Sequence, residues 1–150
     1  MVASGALRSS ASAKVNLALA VTRVRADGYH ELRSVFLRLE LADTLSLTDS
    51  LAPDGPDQLD IDGDADCPVA DNLVLRAIVA FRAAAGGSLV PPVAVRLRKR
   101  IPMAAGLAGG STDAATTLCL LAARFPDAAA DVDLRALAAR IGSDVLFFVD

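Results

Sequence analysis

The hydrophobic character of this chain changes at Asp71-Asn72, and that change limits the fold more than any other feature. Before Asp71-Asn72 apolar residues recur chiefly at every second position, and after it chiefly at three and four. Residues 11–22 place Val15, Leu17, Leu19 and Val21 on one strand face, leaving Lys14 and Asn16 together on the other. Arg25-Ala26-Asp27-Gly28 supplies a turn, residues 29–41 resume as an extended segment that Ala42-Asp43 punctuates, and residues 44–48 read as a further strand. Residues 50–58, with two prolines and a glycine, form a loop before a short strand at 59–62.

Asp71-Asn72 can cap a helix in which Val74, Leu75, Ile78, Val79 and Phe81 recur at helical spacing until Gly86-Gly87. Val93, Val95 and Leu97 then alternate with Ala94, Arg96 and Arg98, giving a strand that runs to Ile101-Pro102 with its charged face outward. Arg96, Arg98, Lys99 and Arg100 read first as a solvated strand face, with ligand contact as the alternative. Helices follow at 111–124 and 132–141, ended by Pro126 and Gly142. The run Val145-Leu146-Phe147-Phe148-Val149 reads as a last strand, which needs sheet neighbours and a cover. The expected class is α+β, β-rich first and helical later.

Composition removes several functions. The 150 residues suffice for one core. Mean hydropathy is +0.44, yet Arg, Asp, Gly or Pro breaks every apolar stretch before the about 20 residues a bilayer requires. Residues 1–12 show no secretory pattern, so a cytoplasmic protein without membrane partners is expected. A net charge of −3 argues against a nucleic-acid surface held by bulk charge. Cys67, Cys119 and the single histidine, His30, form no zinc-ligand set; two reduced thiols are expected, with Cys119 on a helix core face.

Between the strand at 93 and the helix at 111 lies Pro102-Met103-Ala104-Ala105-Gly106-Leu107-Ala108-Gly109-Gly110-Ser111-Thr112. Small residues let backbone approach a phosphate, and a helix start offers N–H groups without intrahelical partners. Neither a Walker loop nor Gly-x-Gly-x-x-Gly fits here, so composition leaves a phosphate site and a tight structural connection both open. Lys14 interrupts an apolar strand and Asp144 follows Gly142-Ser143; singly, they read as an exposed strand lysine and a turn or capping aspartate.

Taken in order, Ala13-Lys14-Val15-Asn16-Leu17, Ala26-Asp27-Gly28-Tyr29-His30-Glu31-Leu32, Asp71-Asn72-Leu73, residues 102–115 and Ile141-Gly142-Ser143-Asp144-Val145 resemble the GHMP kinase superfamily. Within it, Asp27-Gly28-Tyr29-His30 is similar to the branch acting on a cytidine-diphosphate-linked methylerythritol. The resemblance implies a ribosomal protein S5 domain 2-like N-terminal domain, a mixed sheet with helices on one face. It further implies transfer of the ATP γ-phosphate to the 2-hydroxyl of 4-diphosphocytidyl-2-C-methyl-D-erythritol, in the non-mevalonate isoprenoid precursor pathway. Residues 1–150 would be the ATP-binding half, with a C-terminal domain in sequence beyond Asp150 and little turnover from this half alone. The alternatives are a non-catalytic nucleotide-binding fragment and another GHMP small-molecule kinase.

By the same resemblance Asp144 is the base for the acceptor hydroxyl and Lys14 its cationic partner. An ammonium beside a carboxylate also stabilises a developing alkoxide. Asn16 helps to place the acceptor, Tyr29 and His30 recognise cytosine, and Asn72, Leu73 and Lys99 lie near the nucleotide with residues 102–112. ATP and Mg²⁺ are implied, with Ser111 or Thr112 approaching the metal or a phosphate oxygen; a homodimer is compatible with the resemblance. Ser12, Ala104, Ala105, Ala108 and Leu146 depart from the family pattern, which has proline or glycine there. An alanine held at positive φ costs about 1 kcal/mol.

Overall fold

The computed structural model describes residues 5–24, 30–52, 54–63 and 67–149. Four strands, β1 (Leu7–Val24), β2 (His30–Asp49), β3 (Gln58–Asp62) and β4 (Val93–Arg98), form one sheet in the order β1-β2-β4-β3. β1 with β2 and β2 with β4 are antiparallel, and β3 with β4 is parallel. A parallel pair needs a crossover, which α1 (Leu73–Ala84) supplies.

β2 runs unbroken through Ala42-Asp43, where the sequence predicts an interruption. Asp43 is tolerated in mid-strand because Oδ1 accepts the backbone N–H of Arg100 at 2.5 Å and of Ile101 at 2.8 Å. β1 departs from simple alternation. A register shift between Asn16 and Ala18 adds a residue on β1, so Val15 pairs with Leu37 and Leu19 with Ser34. Val15 and Leu19 therefore point to opposite faces, which corrects the single apolar face expected for them. Leu17, Leu19, Val21, Val35 and Leu37, on the far half of this hairpin, stay exposed.

The helices cover one sheet face. Leu45, Leu47, Val93, Val95 and Leu97 are buried beneath them, while Arg96 and Arg98 on the other face meet solvent. α2 (Gly109–Arg124) is central, packing on β1 and β2 and against α1, with Ala114, Ala115, Leu118 and Leu121 in the core. It begins two residues before the expected Ser111. Cys119 falls off its buried face and is exposed, correcting the core position expected for it. In α1, Val79 is likewise exposed, whereas Val74, Ala77, Ile78 and Phe81 are buried.

After a short α3 (Pro126–Ala129), Asp133 caps α4 (Leu134–Ile141) by accepting from the Ala136 N–H. The last apolar run is α5 (Ser143–Phe148), a helix where a strand was expected. Its buried residues are Val145 and Phe148, three apart, against α2 and α4; helical spacing satisfies them without a sheet neighbour. Among the described residues no helix is long and apolar enough to cross a membrane.

Candidate active site

The loop joining β4 to α2 alternates in backbone hand. Ala104, Gly106 and Ala108 have φ of 54°, 75° and 58°, and the residues between them are not left-handed. Such alternation gathers successive N–H groups into a concave anion-binding nest. Ala108 is also the N-cap of α2 and offers no capping side chain. The first N–H of the helix bonded back to it belongs to Thr112, at 3.0 Å from the Ala108 carbonyl oxygen, so those of Gly109, Gly110 and Ser111 have no intrahelical acceptor. Pro102 through Ser111 line a cavity of about 370 Å³ together with Asn72, Leu73 and Asp113. The sequence-predicted loop residues thus converge, except Thr112, which is buried and outside that lining. Of the three loop alanines, Ala104 and Ala108 carry backbone strain and Ala105 does not.

Gly109 leaves little room for a side chain: a Cβ there would lie 3.0 Å from Ile101 Cγ2 and 3.1 Å from Lys99 Nζ, so those side chains would have to give way. Lys99 is therefore beneath the loop and buried, not on a solvated strand face. It continues the inward parity of Val93, Val95 and Leu97, whereas Arg96, Arg98 and Arg100 point outward. Its ammonium donates to Asp43 Oδ2 at 2.5 Å and to Asp113 Oδ2 at 2.9 Å. Burial pulls the lysine pKa down, but the two carboxylates outweigh it and the net shift is upward. For Asp113 burial dominates over the attraction of Lys99, Asp43 adds like charge, and the carboxyl is pushed up to about 7. Among the described residues Asp113 Oδ1 has no hydrogen-bond partner.

On the other side of the loop, the backbone N–H of Lys14 donates to the Leu107 carbonyl at 3.1 Å. The Lys14 side chain is buried, contrary to the exposed strand lysine that composition favours. Nζ is 3.3 Å from Asp144 Oδ2, donates to Asn16 Oδ1 at 3.0 Å and lies 4.8 Å from the centroid of the Phe36 ring. The Asp144 side chain, in the first turn of α5, keeps about a third of its surface open at 35%. A buried cation, a reachable carboxylate and an anion nest thus meet around one loop.

Asn72 acts as a helix cap: Oδ1 accepts from the Val74 N–H at 3.0 Å, while Nδ2 donates to the Pro68 carbonyl at 2.9 Å. It lines the cavity as well. Tyr29 lies outside the described residues, and His30 is placed only by its backbone, opposite Val24 at the start of β2. Sequence reasoning missed Asp43, Asp113 and Phe36. Strand parity was the available signal for Asp43, which shares its face with Leu45 and Leu47.

Residues 72–149 match the family model for the GHMP kinases N terminal domain, and the chain belongs to that family of kinases. A 4-diphosphocytidyl-2-C-methyl-D-erythritol kinase of Sphingopyxis alaskensis is 40% identical over 95% of this chain and 50% of its own length. One of the same name from Anaeromyxobacter sp. (strain K) is 47% identical over 93% of this chain and 43% of its own. The chain thus spans about half the length of the curated relatives it matches. A crystal structure of a 4-(cytidine 5'-diphospho)-2C-methyl-D-erythritol kinase superposes with a TM-score of 0.75 at 42% identity, over 95% of this chain and 48% of the other.

Proposed function

We propose that residues 1–150 form the N-terminal, ATP-binding unit of a kinase that phosphorylates the 2-hydroxyl of 4-diphosphocytidyl-2-C-methyl-D-erythritol in the cytoplasm. The carrying observation is the Lys14–Asp144 pair at 3.3 Å, whose lysine lies on a strand hydrogen-bonded to the loop of alternating hand. The names of the relatives support the choice of acceptor.

The loop N–H groups hold the β- and γ-phosphates, and residues 102–112 with Asn72 and Leu73 enclose the nucleotide. Asp144 takes the proton of the acceptor hydroxyl. The acceptor oxygen then bonds to the γ-phosphorus as the bond to the ADP oxygen breaks, in line and without a phosphoenzyme. The Lys14 ammonium stabilises the negative charge that develops on the acceptor oxygen, and Asn16 orients Lys14. Mg²⁺, when bound, neutralises phosphate charge. Ser111 fits it better than Thr112, because Ser111 borders the cavity and Thr112 does not. Among the described residues there is no cluster of three His, Cys, Asp or Glu, which suits an ion held largely by phosphates and water. Tyr29 and His30 recognise the cytosine.

Calorimetric titration of the chain with a non-hydrolysable ATP analogue, and a phosphoryl-transfer assay of the complete polypeptide with the cytidine substrate, test this reading. Binding of the analogue and a phosphorylated product are expected. A chain that binds no nucleotide, or a complete polypeptide that phosphorylates other alcohols and not this one, overturns it.

A further inference from the structure

The buried cluster Asp43–Lys99–Asp113 has no part in the transfer chemistry above. Its side chains come from β2, from the residue after β4 and from α2, and none is more than 3% exposed. Two of the three ammonium donors are committed to carboxylates. Asp43 also holds the N–H groups of Arg100 and Ile101, immediately before the loop, while Asp113 lies just inside the helix that follows it. The backbone N–H of Lys99 donates to the Asp62 carbonyl at 2.7 Å, tying β3 to the same point.

Both ends of the loop are therefore fastened to one ammonium that lies under Gly109. The left-handed alanines between those ends persist only where the surroundings hold them. We propose that Lys99, with Asp43 and Asp113, is a positioning residue: the cluster sets the separation of the loop ends, and so the curvature of the N–H nest, while Lys99 and Asp43 stay outside the cavity lining that Asp113 joins. This rests on the nucleotide reading above. It differs from the direct nucleotide contact that the family resemblance implies for Lys99.

The test titrates the 150-residue chain with adenosine and with a non-hydrolysable ATP analogue, and takes the ratio of the two affinities as the phosphate contribution. Lys99→Met and Asp43→Asn are each expected to lower the ratio at least about tenfold, with adenosine affinity within about twofold of wild type; a general loss of structure would weaken both ligands. The double variant should fall no further than the weaker single variant. If Lys99 touches phosphate directly, Asp43→Asn frees its ammonium and the ratio is kept or rises, which overturns the proposal. An unchanged ratio in Lys99→Met overturns it too. Where a charge variant does not fold, Gly109→Ala serves: it keeps all three charges, crowds Nζ and Ile101, and should lower the ratio, an unchanged value again being fatal. A wild-type chain that binds neither ligand defeats the nucleotide reading instead.

Discussion

Lys14 Nζ meets Asp144 Oδ2 at 3.3 Å, joining the first strand to the last helix. Asp144 is the carboxylate beside the buried cation that a substrate can reach. Asp144→Asn is expected to lower kcat of the complete polypeptide by about 10²–10⁴-fold, the usual worth of a general base, with affinity for an ATP analogue within about twofold. Near-full turnover in that variant would remove Asp144 from the base role.

Ala104 and Ala108 are held at φ of 54° and 58°, a region in which a Cβ is strained. Ala104→Gly and Ala108→Gly should each stabilise the chain by about 1 kcal/mol, read as a rise in Tm of about 2–4 °C. Ala105→Gly, at ordinary backbone angles, should give no gain. Equal behaviour of all three would contradict the alternating loop.

Gly63 sits at φ +113°, and a Cβ there would lie 2.3 Å from the Lys99 carbonyl oxygen. Backbone opposes backbone, so neither side yields easily. Gly63→Ala should destabilise by more than about 2 kcal/mol in urea unfolding. A variant as stable as wild type would mean that β3 and the end of β4 are not joined as described.

Asp57 is half of a two-point ion pair with Arg82, 2.6 Å at each contact, and it also accepts from the Val93 N–H at 3.0 Å. Burial pushes its carboxyl up, but the Arg82 hydrogen bonds, the Val93 N–H and the Arg82 charge together outweigh burial and hold it below 3.8. On acidification the unfolded chain takes up this proton before the folded one does. The contribution is thus present above the unfolded value and lost as pH falls through the folded one. Unfolding free energy measured from pH 6 to pH 2 should decline, and the slope below about pH 4 should be smaller in Asp57→Asn. An identical slope would dissociate Asp57 from acid lability.

Much of the fold is legible as periodicity. The caps at Asn72 and Asp133 and the glycine stop after α1 follow from local rules. The run at 145–149 is not legible, because an apolar stretch this short suits strand and helix equally and packing against α2 and α4 decides. The buried side of Lys99 could have been found by carrying the parity of Val93, Val95 and Leu97 one step further; grouping it with its arginine neighbours by charge hid it. The Asn16–Ala18 register shift leaves no mark in composition, since any residue can form the extra step. Asp113 was visible as a residue and not as a partner, because its contacts come from distant parts of the chain.

β2 carries Phe36 next to Lys14 and Asp43 under the loop before α2 on one strand. It spans from the Lys14–Asp144 pair, where Asp144 is proposed as the base, to the loop proposed to hold phosphate. Between those two places β2 carries two residues more than β1, in the register shift between Ser12 and Lys14, so the separation of Phe36 and Asp43 is set by an irregular step and not by strict alternation. A change of length within that step is expected to move the pair relative to the loop, through a strand that contributes none of the atoms proposed to react.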